Sequence, residues 1–182
     1  MSSIRLLILG VLLRKQPIHG YDVRRELEQW HADKWASIAY GSIYSALGKM
    51  AEEGLVATTN TEQGDKQTAR TKYTITEDGQ AEFERLLHEY WWELKPTIDP
   101  FQIALTFMDK LSPSELRDAL RHRADQLRSS LTTLQHMHPA HTASAHNPRH
   151  IVESMRLMQA HAETELCWID EVLCKIERGE LP

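Results

Sequence analysis

The fold is decided by residues 38–56, IAYGSIYSALGKMAEEGLV, which have the pattern of one short amphipathic helix and its end. Ile43, Leu47 and Met50 recur at i, i+4 and i+7, which is the spacing of a single buried helix face. The opposite face carries small or polar side chains, namely Ser42, Ser45 and Lys49. Gly54 follows the last apolar position, as is typical of a helix C-terminus. The stretch therefore predicts a helix with one side in the core and a polar side left exposed.

Two helices precede this stretch and a β-hairpin follows it. An apolar helix is predicted over residues 4–14 and an amphipathic one over residues 19–30, with Pro17 between them. Residues 55–61 and 70–76 have the β-branched content and alternation of strands, and a polar turn joins them. Three helices followed by a hairpin are the order of a winged helix-turn-helix. In that fold the third helix enters the DNA major groove and the hairpin reaches neighbouring phosphates.

The C-terminal half is predicted to be a pair of long helices. Thr76 is a candidate cap for a fourth helix, and a short apolar helix follows at residues 99–111. Ser112 and Glu115 have the spacing of a capping box, which marks the start of a long helix. A polar linker at residues 138–148 separates this helix from a second one of similar length. The two would form an antiparallel helical hairpin.

The second long helix carries an apolar stripe with nearly heptad spacing, which favours association with a second copy of the chain. The stripe positions that we expect at the dimer interface are Ile151, Met155, Met158, Leu166, Ile169 and Leu173. We therefore expect a mainly α protein with a small β-hairpin and two domains. Residues 1–92 would form a winged helix-turn-helix DNA-binding domain, and residues 93–182 a C-terminal helical dimerisation domain.

The residue types on the third helix and on the hairpin suit contacts with double-stranded DNA. Small side chains let a helix approach base edges, and hydroxyl groups can bond to phosphate oxygens. The positive end of the helix dipole attracts the same phosphates, and the hairpin cations add attraction that does not depend on sequence. The candidate DNA-binding residues are Tyr40, Gly41, Ser42, Tyr44, Ser45 and Lys49 around the third helix and Lys66, Arg70 and Lys72 on the hairpin.

Four segments together resemble the PadR family of bacterial transcriptional regulators: LLILGVLL, HGYDVRREL, YGSIYSALGKMAEEGLV and KYTITEDGQAEF. The resemblance spans about residues 4–87, and the two-helix C-terminal half is similar to that of the larger family members. It implies a homodimer that represses, or occasionally activates, nearby genes and is often released by a small aromatic or phenolic effector. The chain departs from the family pattern at Ser45, where proline is usual, and at Gly48, where a longer side chain is common.

Tryptophans near the junction of the two predicted domains are candidates for an effector site. Trp91 and Trp92, together with Trp168, would line a flat apolar pocket, in keeping with the family's response to aromatic compounds. Large aromatic side chains also fill domain junctions through packing alone. The sequence does not distinguish these two interpretations.

Other classes of function find little support in the sequence. A net charge of −5 provides no overall basic signal, so DNA binding must come from a local arrangement of residues. Hydrolase, phosphate-loop and zinc-protease motifs are absent, and we expect no enzymatic activity. Five histidines between residues 136 and 150 have no Cys or carboxylate at ligand spacing, so we expect no metal or other cofactor.

The sequence also predicts where the protein is found. The apolar run at residues 6–13 is too short to span a membrane and lacks a cleavage site, so we expect a soluble cytoplasmic protein without a membrane partner. Cys167 and Cys174 would lie about 10 Å apart on one helix, which is too far for a disulfide within the chain. Buried thiols are the simple interpretation, and redox sensing is the alternative.

One rival interpretation belongs to a different functional class. In this interpretation the winged helix binds a partner protein instead of DNA. A salt titration distinguishes the two, because a complex that uses several phosphate contacts weakens steeply as salt is added.

Overall fold

The chain forms two compact units, each with a hydrophobic cluster of its own. The units are Met1–Pro96 and Thr97–Pro182. The computed structural model describes residues 2–36, 38–61, 70–96, 98–142 and 149–181. The prediction of a mainly helical chain with a small antiparallel sheet is confirmed. None of the helices in the described ranges combines the length and the hydropathy that a bilayer span requires.

The first unit consists of five helices and three strands. The helices are α1 (Ser2–Arg14), α2 (Gly20–Gln29), α3 (Ala32–Trp35), α4 (Ser42–Glu52) and α5 (Glu77–Trp92), and the strands are β1 (Ile18–His19), β2 (Val56–Thr61) and β3 (Arg70–Ile75). The one-turn helix α3 lies between the second and third helices of the sequence prediction. The helix that the sequence predicts as the third is therefore α4.

The sheet has the order β1-β3-β2, and both pairings are antiparallel. Strands β2 and β3 form the expected hairpin, with Val56 opposite Ile75 and Thr61 opposite Arg70. The predicted turn at residues 62–69 lies outside the described residues. Strand β1 adds a third strand on the other side of β3, through the pair His19 and Lys72 among others.

The core of the first unit lies between α1, α2, α4 and the sheet. Ile8, Leu27 and Leu47 each have no exposed surface and belong to one continuous cluster. Val56 and Ile75 close this cluster from the sheet side. The apolar periodicity of each helix therefore corresponds to one shared core, which fixes the side of α4 that remains at the surface.

A glycine ends α4, as the sequence predicts. Gly54 has a φ of 76°, a left-handed conformation that favours glycine. The N–H of Gly54 donates to the carbonyl of Ala51 at 3.1 Å, and the N–H of Leu55 donates to that of Met50 at 2.9 Å. These two bonds form a Schellman motif, which turns the chain from α4 directly into β2.

The start of α5 is packed against the same turn. The Thr76 hydroxyl accepts the N–H of Gly79 at 3.0 Å, which confirms the predicted cap. A Cβ at Gly79 would lie 2.0 Å from the carbonyl oxygen of Leu55, so a side chain cannot be added there without moving backbone. This close approach holds α5 against the junction of α4 and β2.

The second unit is a long helical hairpin preceded by short helices. It contains α6 (Pro100–Leu105), a single 3₁₀ turn (Met108–Lys110), α7 (Pro113–Thr142) and α8 (Arg149–Glu177). The N–H of Ser112 donates to Glu115 at 2.9 Å and the N–H of Glu115 donates to the Ser112 hydroxyl at 3.3 Å, so the predicted capping box is confirmed.

The end of α7 differs from the sequence prediction. The linker expected at residues 138–148 begins later, because α7 continues to Thr142. Pro139 suggests a break because proline removes a backbone hydrogen bond, but near a helix end that loss affects only the final turn. Residues 143–148 of the predicted linker lie outside the described residues.

Candidate nucleic-acid interface

The outer face of α4 is a continuous exposed surface. Its members are Ser42, Tyr44, Ser45, Gly48 and Lys49, followed in the last turn by Glu52, and all of them are exposed. On the inner side of the same helix, Ile43 and Leu47 are 0% exposed and Met50 is 1% exposed. A Cβ built at Gly41 or Gly48 would meet no atom within 4 Å. The fold of this unit therefore does not require glycine at either position, and the lack of side-chain bulk leaves the surface open to a partner.

The N-terminus of α4 is open in the sense that no side chain caps it, although the N–H groups of Ser42 and Ile43 donate to the carbonyls of Ala39 and Tyr40. Gly41 is the N-cap residue, and no side chain accepts a capping hydrogen bond there. The Ser42 hydroxyl donates to the carbonyl of Ala39 at 2.6 Å, so its oxygen can still accept a bond. The first turn contains no acidic residue. The positive end of the helix dipole is thus available to an anion.

Tyr40 differs from the expectation that its hydroxyl is offered to phosphate. The hydroxyl donates to Asp33 Oδ1 at 2.6 Å and lies 3.4 Å from the carbonyl oxygen of Leu27. A tyrosine hydroxyl has one proton, so this bond to Asp33 uses its only donor. The structure therefore gives Tyr40 an internal contact instead of a surface one.

Tyr44 connects the outer face of α4 to α2. Its ring lies against the backbone of Gly20, where a Cβ would come within 3.2 Å of a Tyr44 ring carbon. The side-chain hydrogen bond to Glu28 raises the pKa of Arg24, and the phenols of Tyr44 and Tyr21 contribute in the same direction.

Sequence reasoning missed this extension of the surface onto α2. Arg24 and Arg25 lie on the polar side of that helix, and Tyr21 is 63% exposed. The available signal was the position of these residues opposite Val23 and Leu27, which are both buried. Periodicity shows that they face outward, but only the packing of α2 on α4 shows which surface they join.

The hairpin places one predicted cation next to α2. Lys72 is half-buried on β3 and pairs with His19 of β1. His19 Nδ1 lies 3.3 Å from the carbonyl oxygen of Thr71 and donates to it when that nitrogen carries the proton. The backbone of Arg70 begins β3, while its side chain and the whole of Lys66 lie outside the described residues.

The candidate effector residues divide between the two units. In the first unit, Trp91 is 77% exposed and Trp92 is 72% exposed, and the Trp92 ring stacks on His88 with centroids 4.2 Å apart. In the second unit, Trp168 is half-buried, and its ring packs edge to face with that of Phe101, with centroids 5.9 Å apart. The Arg123 guanidinium lies 3.7 Å from the centre of the Phe101 ring. Trp168 thus packs within its own unit, whereas the two tryptophans of α5 present large apolar surfaces.

The candidate dimer stripe on α8 is only partly available. Ile169 has no exposed surface because it belongs to the cluster formed with α7, and Met155 is 9% exposed. Met158, Leu166 and Leu173 are half-buried. The side chain of the remaining candidate, Ile151, lies outside the described residues.

In the described part of the chain, the histidines and cysteines that the sequence singles out do not form a metal centre. No group of three or more His, Cys, Asp or Glu side chains there is placed to hold a metal ion. His136 and His150 are exposed, and the side chains of the histidines between them lie outside the described residues. Cys167 and Cys174 are both exposed free thiols, which contradicts the expectation of buried ones. The apolar stripe of α8 turns toward α7 and leaves both cysteines on the solvent side.

Helices α2 and α4, with the small sheet of β1, β2 and β3, form a winged helix-turn-helix, the fold of a large class of DNA-binding regulators. Residues 8–85 match the model of the "Transcriptional regulator PadR-like family". These residues of the first unit therefore form a PadR-like domain, and the family that the model describes consists of transcriptional regulators. No curated protein sequence matches the chain at a significant level.

Solved structures share the fold over nearly the whole chain. PadR from Bacillus subtilis in complex with operator DNA is 23% identical, with a TM-score of 0.74 over 97% of this chain and 98% of that one. The same protein in complex with p-coumaric acid is 22% identical, with a TM-score of 0.74 over 96% and 99%. The virulence activator AphA from Vibrio cholerae is 22% identical, with a TM-score of 0.72 over 96% and 98%.

Proposed function

We propose that this regulator binds specific DNA sequences as a homodimer through the outer face of α4. One observation carries the proposal: α4 buries its inner side, and its exposed positions from Ser42 to Lys49 carry no acidic side chain, while Glu52 lies only in the last turn. In winged helix-turn-helix proteins the corresponding helix lies in the major groove. The structural similarity to Bacillus subtilis PadR, which was solved in complex with operator DNA, supports DNA binding by a chain of this fold.

Different parts of the surface make different contacts in this proposal. The open N-terminus of α4 binds a phosphate, while Ser45 and Gly48 let the helix approach base edges. Lys49 donates to a base or to a phosphate. The hairpin cations and α2 bind phosphates on either side, through Lys66, Arg70, Lys72, Tyr21 and Arg24. Because few of these side chains read bases strongly, specificity depends also on DNA shape and on paired half-sites.

The second unit joins two copies of the chain in this proposal. The half-buried apolar residues of α8, Met158, Leu166 and Leu173, supply part of the contact. A two-fold dimer presents two copies of α4, so the binding site consists of two similar half-sites about one or two helical turns apart.

We propose further that the protein is a repressor released by a small aromatic acid. The complex of Bacillus subtilis PadR with p-coumaric acid supports this class of ligand. The exposed Trp91 and Trp92 offer flat apolar surfaces of the kind on which an aromatic ring stacks. Trp168 supplies a third candidate surface.

The proposal of DNA binding is tested by selecting bound duplexes from a random pool. The affinity for the selected duplex is then measured at increasing salt concentrations. We expect a two-part consensus and an affinity that falls steeply as salt is raised. A partner-protein module would instead select no consensus and show little dependence on salt. Light scattering on the same sample gives the mass, which for a dimer is twice that of the chain.

The effector proposal has its own test on the same complex. p-Coumaric acid should release the selected duplex, whereas cyclohexanecarboxylic acid, an acid without an aromatic ring, should not. Replacing Trp91 and Trp92 by Ala should abolish the release without weakening DNA binding. Equal effects of the two acids would reject an aromatic effector site, and release that survives the replacements would reject its placement on α5.

A further inference from the structure

Tyr40 lies just before α4 and connects three elements of the first unit. Its hydroxyl donates to Asp33 Oδ1 at 2.6 Å and accepts the N–H of Asp33 at 3.4 Å. The carbonyl oxygen of Leu27 lies 3.4 Å from the same hydroxyl. Asp33 belongs to α3, and Leu27 lies in the last turn of α2, where carbonyls lack partners within the helix. One side chain therefore holds together the end of α2, α3 and the approach to α4.

The backbone around Tyr40 starts α4. The N–H of Ile43 donates to the carbonyl of Tyr40 at 3.3 Å, and the N–H of Ser42 donates to that of Ala39 at 2.9 Å. A displacement of the backbone at Tyr40 would therefore move the first turn of α4. That turn leads into Ser45 and Gly48, which approach the base edges in the proposed function.

The hydroxyl of Tyr40 is held as a donor at neutral pH. Burial raises the pKa of Tyr40, and the hydrogen bond to Asp33 raises it further. The proton therefore stays on the phenol, and the short bond to the carboxylate is of the strong, charge-assisted kind. The Trp35 ring nitrogen also donates to the carbonyl of Trp30 at 3.0 Å, so α3 is fastened to α2 at a second point.

We propose that Tyr40 and Asp33 form a latch that fixes the direction of α4 for DNA, and that Tyr40 is a positioning residue and not a DNA contact. The proposal rests on DNA binding by the outer face of α4. The proposed latch predicts the opposite of the usual effect on DNA affinity when an acidic residue near DNA is removed. Removing a carboxylate from such a surface ordinarily raises the affinity, because repulsion of the phosphates is lost. The latch predicts that removing Asp33 lowers it.

The test compares Tyr40→Phe, Asp33→Ala and the double variant on the selected duplex and on an unrelated duplex. Each single variant should bind the selected duplex about tenfold more weakly, and the double variant should be no weaker than either single one. The unrelated duplex should be bound as before, because non-specific binding depends on phosphate contacts and not on the direction of α4. Asp22→Ala, which removes an acidic residue from the first turn of α2, is the control and should not weaken binding.

The ratio of the two affinities separates positioning from a loss of folded protein, which would weaken binding to both duplexes equally. The latch is rejected if Tyr40→Phe leaves the ratio unchanged, if Asp33→Ala raises the affinity, or if the losses multiply in the double variant. Failure of the proposed function is recognised differently, because the unaltered protein would then select no duplex at all. Tyr40→Phe keeps the ring, so it is informative even if Asp33→Ala folds poorly.

Discussion

The two units bury their apolar side chains to very different extents. In the described residues, the first unit encloses a cluster of fifteen buried side chains between several helices and a sheet. The second unit has two helices of 30 and 29 residues, but among its described side chains the buried cluster has six members. A pair of helices packed along one seam leaves much of its apolar surface partly exposed. The first unit has the core of an independent domain, whereas the second leaves apolar surface uncovered, which agrees with the proposed dimer.

Both units also expose large apolar side chains, of which the most exposed in the first unit are Trp91, Trp92 and Leu94. Among the large apolar side chains of the second unit, Ile98 is 85% exposed, and Ile103 and Phe107 are each 59% exposed. Monomeric proteins rarely leave large apolar patches in water. The comparison therefore favours a division of work, in which the first unit binds DNA and the second joins two copies.

The largest expected effect comes from removing the second unit. A chain that ends at Pro96 should remain folded, because its core is complete, but it should be monomeric. Its affinity for the selected duplex should fall about 100-fold or more, since two half-sites are no longer bound by linked copies. Light scattering, circular dichroism and a binding titration measure the three outcomes. A shortened chain that still dimerises and binds as well as the whole protein would overturn the division of work.

A smaller effect is expected where the first unit is most tightly closed. Gly79→Ala places a methyl group against the carbonyl of Leu55, and it should lower the free energy of unfolding by about 1–3 kcal/mol. Thermal or urea unfolding of the full chain measures the loss. Unchanged stability would mean that α5 is not held against the turn after α4.

The same substitution on the outer face of α4 should have the opposite effect on stability. Gly48→Ala should raise the free energy of unfolding by about 0.5–1 kcal/mol, because alanine is the better helix former and nothing lies within 4 Å of the added methyl. Binding to the selected duplex should nevertheless weaken several-fold, because the methyl group stands between the helix and the bases. A variant that is more stable and binds equally well would show that α4 does not approach DNA closely at this point.

Local signals made much of this fold predictable. The core face of α4, its end at Gly54, the Thr76 cap and the Ser112 capping box each depend on residues within a few positions of one another. Strand β1 was missed because two residues form a strand only when β3 is beside them. The neighbour that determines such an element lies far away in the sequence.

The site was predictable to a lesser degree for the same reason. Periodicity shows that Ser45 and Lys49 face outward, and the structure agrees. It does not show that Tyr40 is bonded to Asp33, because that contact depends on the path of the chain through α3. Nor does a near-heptad stripe on α8 reveal whether Ile169 meets a second copy or, as found, α7 of its own chain.

Lys49 provides the most direct test of the central claim that the outer face of α4 binds DNA. The affinity for the selected duplex should be measured against salt for the unaltered protein, for Lys49→Ala and for Lys175→Ala, an exposed lysine in the last turn of α8. Each lost phosphate contact reduces the slope of log affinity against log salt concentration by about 0.9. A dimer of Lys49→Ala loses two contacts, so its slope should be smaller by nearly 2 and its affinity about tenfold weaker. Lys175→Ala removes the same charge and should leave the slope unchanged. Equal slopes and affinities for all three proteins would contradict the assignment of α4 as the DNA-binding helix.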